Sequence, residues 1–458
     1  MDRKIIFMFC LIIAMAACGD NNNKEENAAP AAIVKTNNSD AAPQLLPVTQ
    51  DLKISPSAVG PRVAALLDGK FVVVWASDYT IKAKTYSNTN ELKSFDVSSA
   101  GSVSSGKNAL YTDSKVNESP AVASFSNGDF VVVWEHRQYG ASLSGHDIRA
   151  RLFTQDGTAL TDDFLILSNG GNKNIYPTLQ LSVATIGLDN NDTQRHYVVS
   201  WQDLSNYSKH SAIKGLKLTN AEINKPSFAN GKDPFLISTS SQNELNRYPA
   251  VVGARDEEGK LTGDFLVAWS KKENPVGNAD RNKATINYKL FRENKQNETI
   301  FQATDSARDS KPAVASLTNG DFIISWAKNE DGSDSNSGIA ARRFFGPKAS
   351  NSGAPKKKEL LVESFPSTSQ YDFSISALLN SAFVVSWSDG KNIQAKTFNS
   401  GDNVAIHKFN ISNEEDSIKT DPWVVTLKNK NVKNIFVVWQ LIDSDGPSAY
   451  GNIAITEN

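Results

Sequence analysis

The sequence predicts an all-β protein, a seven-bladed β-propeller with four-stranded blades. Three observations predict it. A pattern ending in tryptophan recurs along the chain, segments of alternating hydrophobicity follow each copy, and the two chain ends carry complementary parts of one unit. Self-similarity of this kind marks stacked supersecondary units that cannot bury their faces alone.

The first two strands of each unit come from the pattern itself. Pro61 to Trp75, Pro120 to Trp134 and Pro312 to Trp326 share proline and valine-alanine (strand A), then Asp-Gly or Asn-Gly, then Phe-Val-Val-Val-Trp or a close variant (strand B). Divergent copies end at Trp201, Trp269, Trp387 and Trp439, so seven tryptophans fall 52 to 68 residues apart. Asp68-Gly69, Asn127-Gly128 and Asn319-Gly320 supply the positive φ that tight hairpins need. Strand B is apolar on both faces, as a strand sandwiched between two neighbouring sheets must be.

A third strand follows each tryptophan with period-two alternation, as in Ile81 to Tyr86, Ile148 to Phe153, Ile339 to Phe344 and Ile393 to Phe398. Short apolar stretches such as Phe164 to Leu167 and Leu360 to Val362 supply strand D. The last unit ends after strand C. Leu52-Lys53-Ile54-Ser55, ahead of the first unit, matches a strand D, so the N-terminal strand is expected to complete the last blade and close the ring.

The segment before the repeats reads as an address. Arg3 and Lys4 precede an apolar run from Ile5 to Met15, too short to span a bilayer and of the length of a signal-peptide core. Met15-Ala16-Ala17-Cys18 resembles the lipobox of bacterial lipoproteins, which implies a signal peptide over 1–17 and lipidation of Cys18. The polar stretch behind it suits a flexible tether over 18–48, with the propeller over 49–458. Cys10 would leave with the signal, so disulfides and thiolate chemistry are not expected in the mature chain. Gly19 after the cysteine resembles the outer-membrane sorting pattern, so the expected location is the bacterial cell envelope, lipid-anchored at the outer membrane.

The repeats resemble those of large bacterial surface and adhesin-like proteins, over about residues 50 to 458. That resemblance implies a propeller and an envelope location and no particular activity. Lys plus Arg number 48 against 50 Asp plus Glu, a net charge of −2, which points to no nucleic-acid partner. Strand A is normally innermost in a propeller, so the B to C and D to A loops share the face expected to carry function.

The candidate ligands lie in those loops. His136, His146 and His210 fall in or beside B to C loops of units 2 and 3 and could approach one another, but no spacing motif supports a site and no metal is assigned. Asp331 and Asp334 belong to an Asp-, Asn- and Ser-rich loop around a glycine that would suit calcium without matching the EF-hand order, so no cofactor is expected. The repeated tryptophans read as packing between blades rather than sugar platforms. Trp423, ahead of strand A of the last unit, is the odd one out. No nucleophile elbow, zinc-protease helix or phosphate loop is present, and the Ser-x-Asp-x-Gly-x-Thr-Trp boxes of sialidase-like propellers are missing.

These features lead to an expected non-enzymatic binding or scaffold lipoprotein, held to the membrane by its lipid and presenting a propeller face to an envelope protein or glycan. The alternative is a carbohydrate-active propeller enzyme, hydrolase or lyase, with loop carboxylates as acid and base. A partly buried carboxylate pair in a deep pocket would favour the enzyme, and a broad exposed apolar patch would favour binding.

Overall fold

The computed structural model describes residues 45–47, 50–99, 114–139, 145–168, 180–188, 195–206, 210–222, 225–228, 234–239, 241, 244–256, 258–273, 283–292, 299–308, 311–329, 337–365, 372–400, 405–413, 417–428 and 433–456. These residues are mostly β-strand with almost no helix, organised in four-stranded antiparallel units. Val59–Ala65, Lys70–Ser77, Thr80–Ser87 and Asn90–Asp96 pair in chain order. Ser114–Ser124, Phe130–Tyr139, Gly145–Phe153 and Phe164–Ser168 form the next unit. Phe373–Ala377, Phe383–Ser388, Ile393–Phe398 and Ala405–Asn410 repeat the arrangement. The middle repeats run on from one another only through the single pairs Ser211 with Leu245 and Ala307 with Lys328, so the four-stranded ladder remains their unit.

Strand B carries the core. Phe71 to Trp75 and Phe130 to Trp134 are at most 2% exposed along their whole length, which requires cover on both faces of the sheet. That cover comes from the neighbouring repeats. One cluster joins Val72, Val74 and Ile81 of the first repeat to Phe130, Val132 and Trp134 of the second. Another joins Val131 and Val133 to Val199 and Trp201. The pattern continues through Trp269, Trp326, Trp387 and Trp439, each packed on the repeat before it. Trp75 packs on Phe436 and Val438 of the last repeat and on Ile54.

The chain ends meet in one sheet. Leu52–Ser55 pairs antiparallel with the C-terminal strand Gly446–Thr456, and Leu45–Pro47 extends the same ladder, with Leu45 opposite Thr456. The pairing therefore begins inside the segment expected as tether.

Two local features differ from expectation. Of the three Asp-Gly and Asn-Gly turns, only the first has positive φ at both residues, Asp68 at 55° and Gly69 at 73°. At Asn127-Gly128 the glycine alone takes it, because Asn127 Oδ1 accepts the amide of Asp129 at 3.1 Å and builds an Asx-type turn instead. The B to C hairpins also continue past the tryptophan. Phe130–Tyr139 pairs with Gly145–Phe153 through much of the stretch read as a loop, since an antiparallel ladder needs only a facing backbone and not an apolar sequence.

Neighbouring repeats are tied at the A to B turn end by buried polar contacts. Arg195 Nε donates to Asp129 Oδ2 at 2.9 Å and Arg343 Nη2 to the Ser381 carbonyl at 3.0 Å, while within one repeat Lys356 Nζ donates to Asp321 Oδ2 at 2.7 Å.

Candidate active site

The opposite end of strand A, where the D to A connections enter, builds the one strongly individual feature of the repeat. In several repeats the A to B pairing slips there by one residue: between Val59 and Arg62, Glu118 and Ala121, Arg247 and Ala250, and Thr420 and Trp423. A bulge of this kind re-aims a side chain and strains one backbone position. Gly60, Ser119, Gln180, Tyr248 and Asp421 all have φ between 50° and 60°, and four of the five are not glycine. Left-handed geometry at four non-glycine residues, three of them directly before a proline, costs free energy and clusters characteristically at functional sites.

The five strained positions converge with Lys311 and Asp372, which hold the same place in their own repeats near the start of strand A, and all seven line one cavity of about 480 Å³. That volume falls in the range of small-ligand sites. Two positions further on, most repeats carry a small residue: Ala121, Ser182, Ala250, Ala313 and Ser374. The exceptions are Arg62 and Trp423, which project into the cavity instead.

The strained amides are satisfied across repeats. The Asp421 amide donates to Asp372 Oδ2 at 3.2 Å, the Tyr248 amide to Gln180 Oε1 at 2.9 Å and the Gly60 amide to Gln440 Oε1 at 3.1 Å. Serines stitch the A strands below them, with the Val251 amide on Ser182 Oγ and the Val424 amide on Ser374 Oγ. These contacts fix the ring of side chains without a continuous ladder between repeats.

Two carboxyls of the cavity stand side by side with different partners. Asp421 is ion-paired with Arg62 at 2.5 Å, with side-chain exposures of 32% and 18%. Asp372 is reached by solvent but enclosed by the cavity wall; that withdrawal from bulk water, then the Asp421 charge, push its carboxyl above the usual carboxylate range against the opposing Asp421 amide, Arg62 and Lys311. The Lys311 ammonium lies 5.1 Å from the Trp423 ring centre and the Arg62 guanidinium 4.9 Å from it. Desolvation, then repulsion from Arg62, lower Lys311 to about 8 against the pull of Asp421 and Asp372.

Of the residues singled out in the sequence, Trp423 lines the cavity and His136, His146 and His210 are not among its lining residues. His136 is on strand Phe130–Tyr139, where its Nδ1 sits 2.9 Å from Asn117 Oδ1 and therefore carries the proton. The same oxygen accepts Trp134 Nε1 at 3.0 Å, so this histidine joins a knot around the core tryptophan. His146 pairs in register with Arg137 and His210 with Asn206. Asp331 and Asp334 lie outside the described residues, as does the centre of their loop. Among the described residues no three His, Cys, Asp or Glu side chains gather as metal ligands would. The cavity residues escaped notice because they share no motif: Asp372 and Asp421 are 49 residues apart and come from different repeats. The signal that could have found them is variation at the place before a repeated proline, read as Gly, Ser, Tyr, Lys and Asp at 60, 119, 248, 311 and 421.

No protein-family model matches the chain, and no curated protein sequence does. Solved structures do. The polysaccharide lyase Uly1 aligns with a TM-score of 0.51 at 9% identity, over 90% of this chain and 100% of that one. An α-L-arabinofuranosidase of Fusarium graminearum, solved with arabinobiose, matches at 0.45 and 10% over 89% and 97%, and the NanB sialidase of Streptococcus pneumoniae at 0.44 and 10% over 90% and 70%. At such identities the likeness concerns the fold, which is a β-propeller with four-stranded blades.

The expectation of a non-enzymatic scaffold, and of a chain more suited to binding than catalysis, is corrected here. Uly1, which it resembles in fold, is a polysaccharide lyase. Its own cavity presents a clustered carboxylate pair in a pocket rather than a broad apolar patch. The physical reason for the miss is that the pair exists only once two neighbouring repeats, 49 residues apart in the chain, are packed together.

Proposed function

We propose that the protein is a carbohydrate-active enzyme that cleaves glycosidic bonds in the cavity at the A-strand ends. The observation that carries this reading is the Asp372 and Asp421 pair beside Arg62. Glycoside hydrolysis needs one carboxyl that holds its proton and one that does not, and unlike surroundings are how a protein separates two such groups. Asp372, pushed up by desolvation and by its neighbour's charge, is suited to protonate the leaving oxygen. Asp421, oriented by Arg62, is suited to act as the carboxylate on the other side of the bond, as base or nucleophile. Tyr248 and Trp423 supply apolar faces for a sugar ring.

The same reading includes a seven-bladed ring closed by the N-terminal strand. Its support is the pairing of Leu52–Ser55 with Gly446–Thr456 and the packing of Trp75 on Phe436 and Val438. A closed ring explains why cavity residues come from first and last repeats alike. The protein is also proposed to be lipid-anchored through Cys18 at the bacterial outer membrane, on the Met15 to Cys18 pattern. Replacing Cys18 with Ser should move it from the membrane to the soluble fraction, and unchanged fractionation of that variant would remove the anchor.

The test of the activity is a polysaccharide panel read in two ways, by new reducing ends and by the absorbance of unsaturated sugar ends. Reducing ends alone, lost in both Asp372→Asn and Asp421→Asn, support hydrolysis by the pair. Unsaturated ends would reassign the reaction to elimination. Turnover that survives both substitutions would overturn the site.

A further inference from the structure

Lys311 is the cavity's uncommitted cation. Arg62 is engaged by Asp421 and by the Pro61 carbonyl at 2.8 Å. Among the described residues the Lys311 ammonium makes neither hydrogen bond nor ion pair, and its close contact is the face of Trp423. It occupies the ring position that other repeats fill with Gly, Ser, Gln, Tyr or Asp, so no demand of the repeat frame puts a lysine there. A charged group lining a cavity without a protein acceptor is available to the acceptor of a ligand.

We infer that Lys311, with Arg62 beside it on the same Trp423 ring, binds the acid group of an anionic sugar, so that the enzyme's substrates are uronate-containing glycans. The inference rests on the cavity being the carbohydrate site and goes further by naming the substrate class. A carboxylate on the sugar would accept from the lysine and offset the repulsion between the two cations. The raised Asp372 fits the same picture, because a protonated neighbour does not repel an incoming carboxylate. The depressed Lys311 gives the interaction a pH signature. Its charge is present below about 8 and lost above, so acid-sugar affinity should weaken as pH rises through that value.

The experiment uses the full chain and calorimetric binding of oligogalacturonate, oligoglucuronate and oligomannuronate, their neutral methyl esters, and sulfated and plain malto-oligosaccharides. At least one uronate series should bind and its ester should not. Lys311→Met should weaken that binding about tenfold or more, as loss of a charged hydrogen bond does. Lys311→Arg should restore it and remove the weakening near pH 8, and thermal melts of both variants check folding. Equal binding of acid and ester, no uronate binding, or uronate binding untouched in Lys311→Met overturns the inference. So does binding confined to the sulfated sugars, which would make sulfate the recognised group. The two readings fail separately: turnover of a neutral glycan insensitive to Lys311→Met keeps the enzyme and removes the uronate, whereas Lys311-dependent uronate binding without turnover of any glycan does the reverse.

Discussion

The two ends of strand A obey different rules. At the A to B turn end, repeats reuse the same chemistry: an Asn-Gly-Asp turn whose aspartate meets a cation of the adjoining structure, Arg195 on Asp129 and Lys356 on Asp321. At the other end, the equivalent position, strained in five repeats, varies from repeat to repeat, and those side chains line a common cavity. The first end holds the repeats in place. The second uses that rigidity to aim dissimilar groups at a common point, which a loop on a softer scaffold would do less accurately. A repeat protein can thus keep a constant frame and still build an asymmetric site.

The largest effect that would break this comparison is on catalysis. Asp421→Asn should lower turnover of a substrate found in the panel by about 10² to 10⁴, the usual weight of one acid or base group. Asp321→Asn, at the turn end, should leave turnover unchanged and lower the melting temperature. If both substitutions affected activity alike, the division between the two ends would fail.

Next in size is ring closure. Deleting residues 50 to 56 removes Ile54, which is 2% exposed, and the partners of Ala449, Tyr450 and Gly451 on the C-terminal strand. A buried isoleucine alone contributes about 2–5 kcal/mol, so the deletion should exceed that in denaturant melts. An unchanged melt would sink the closed ring. Arg195→Met should cost about 3 kcal/mol, because it strands the Asp129 carboxylate at a site where both partners are about nine-tenths buried. The cost should appear in stability with turnover unaltered.

The smallest effect sharpens the account of Lys311. Its folded value of about 8 lies below the ordinary lysine value of about 10.4, so between the two the unfolded chain binds more protons. Stability contributed at this site therefore rises as pH increases through that window. Relative to Lys311→Met, the native chain should gain in melting temperature between about pH 8 and pH 10. Parallel profiles for the two proteins would show that the ammonium is already compensated.

Most of the architecture could be read before any coordinates. The strand order A to D, the apolar strand B, the interblade tryptophans and the pairing of Leu52–Ser55 with the last repeat all followed from the spacing of a few residues, because strands buried on both faces leave a local and repetitive trace. The site left no such trace. His136 stood out as a loop residue and proved to be bound to Asn117 within a strand, while Asp372 and Asp421 sat unnoticed among polar residues. By itself the sequence determined which segments become strands and that successive units must cover one another's faces. Only the tertiary structure decided which side chains meet, since the distance between Asp372, Asp421, Arg62 and Lys311 depends on how the first, fifth, sixth and last repeats are placed around a common cavity.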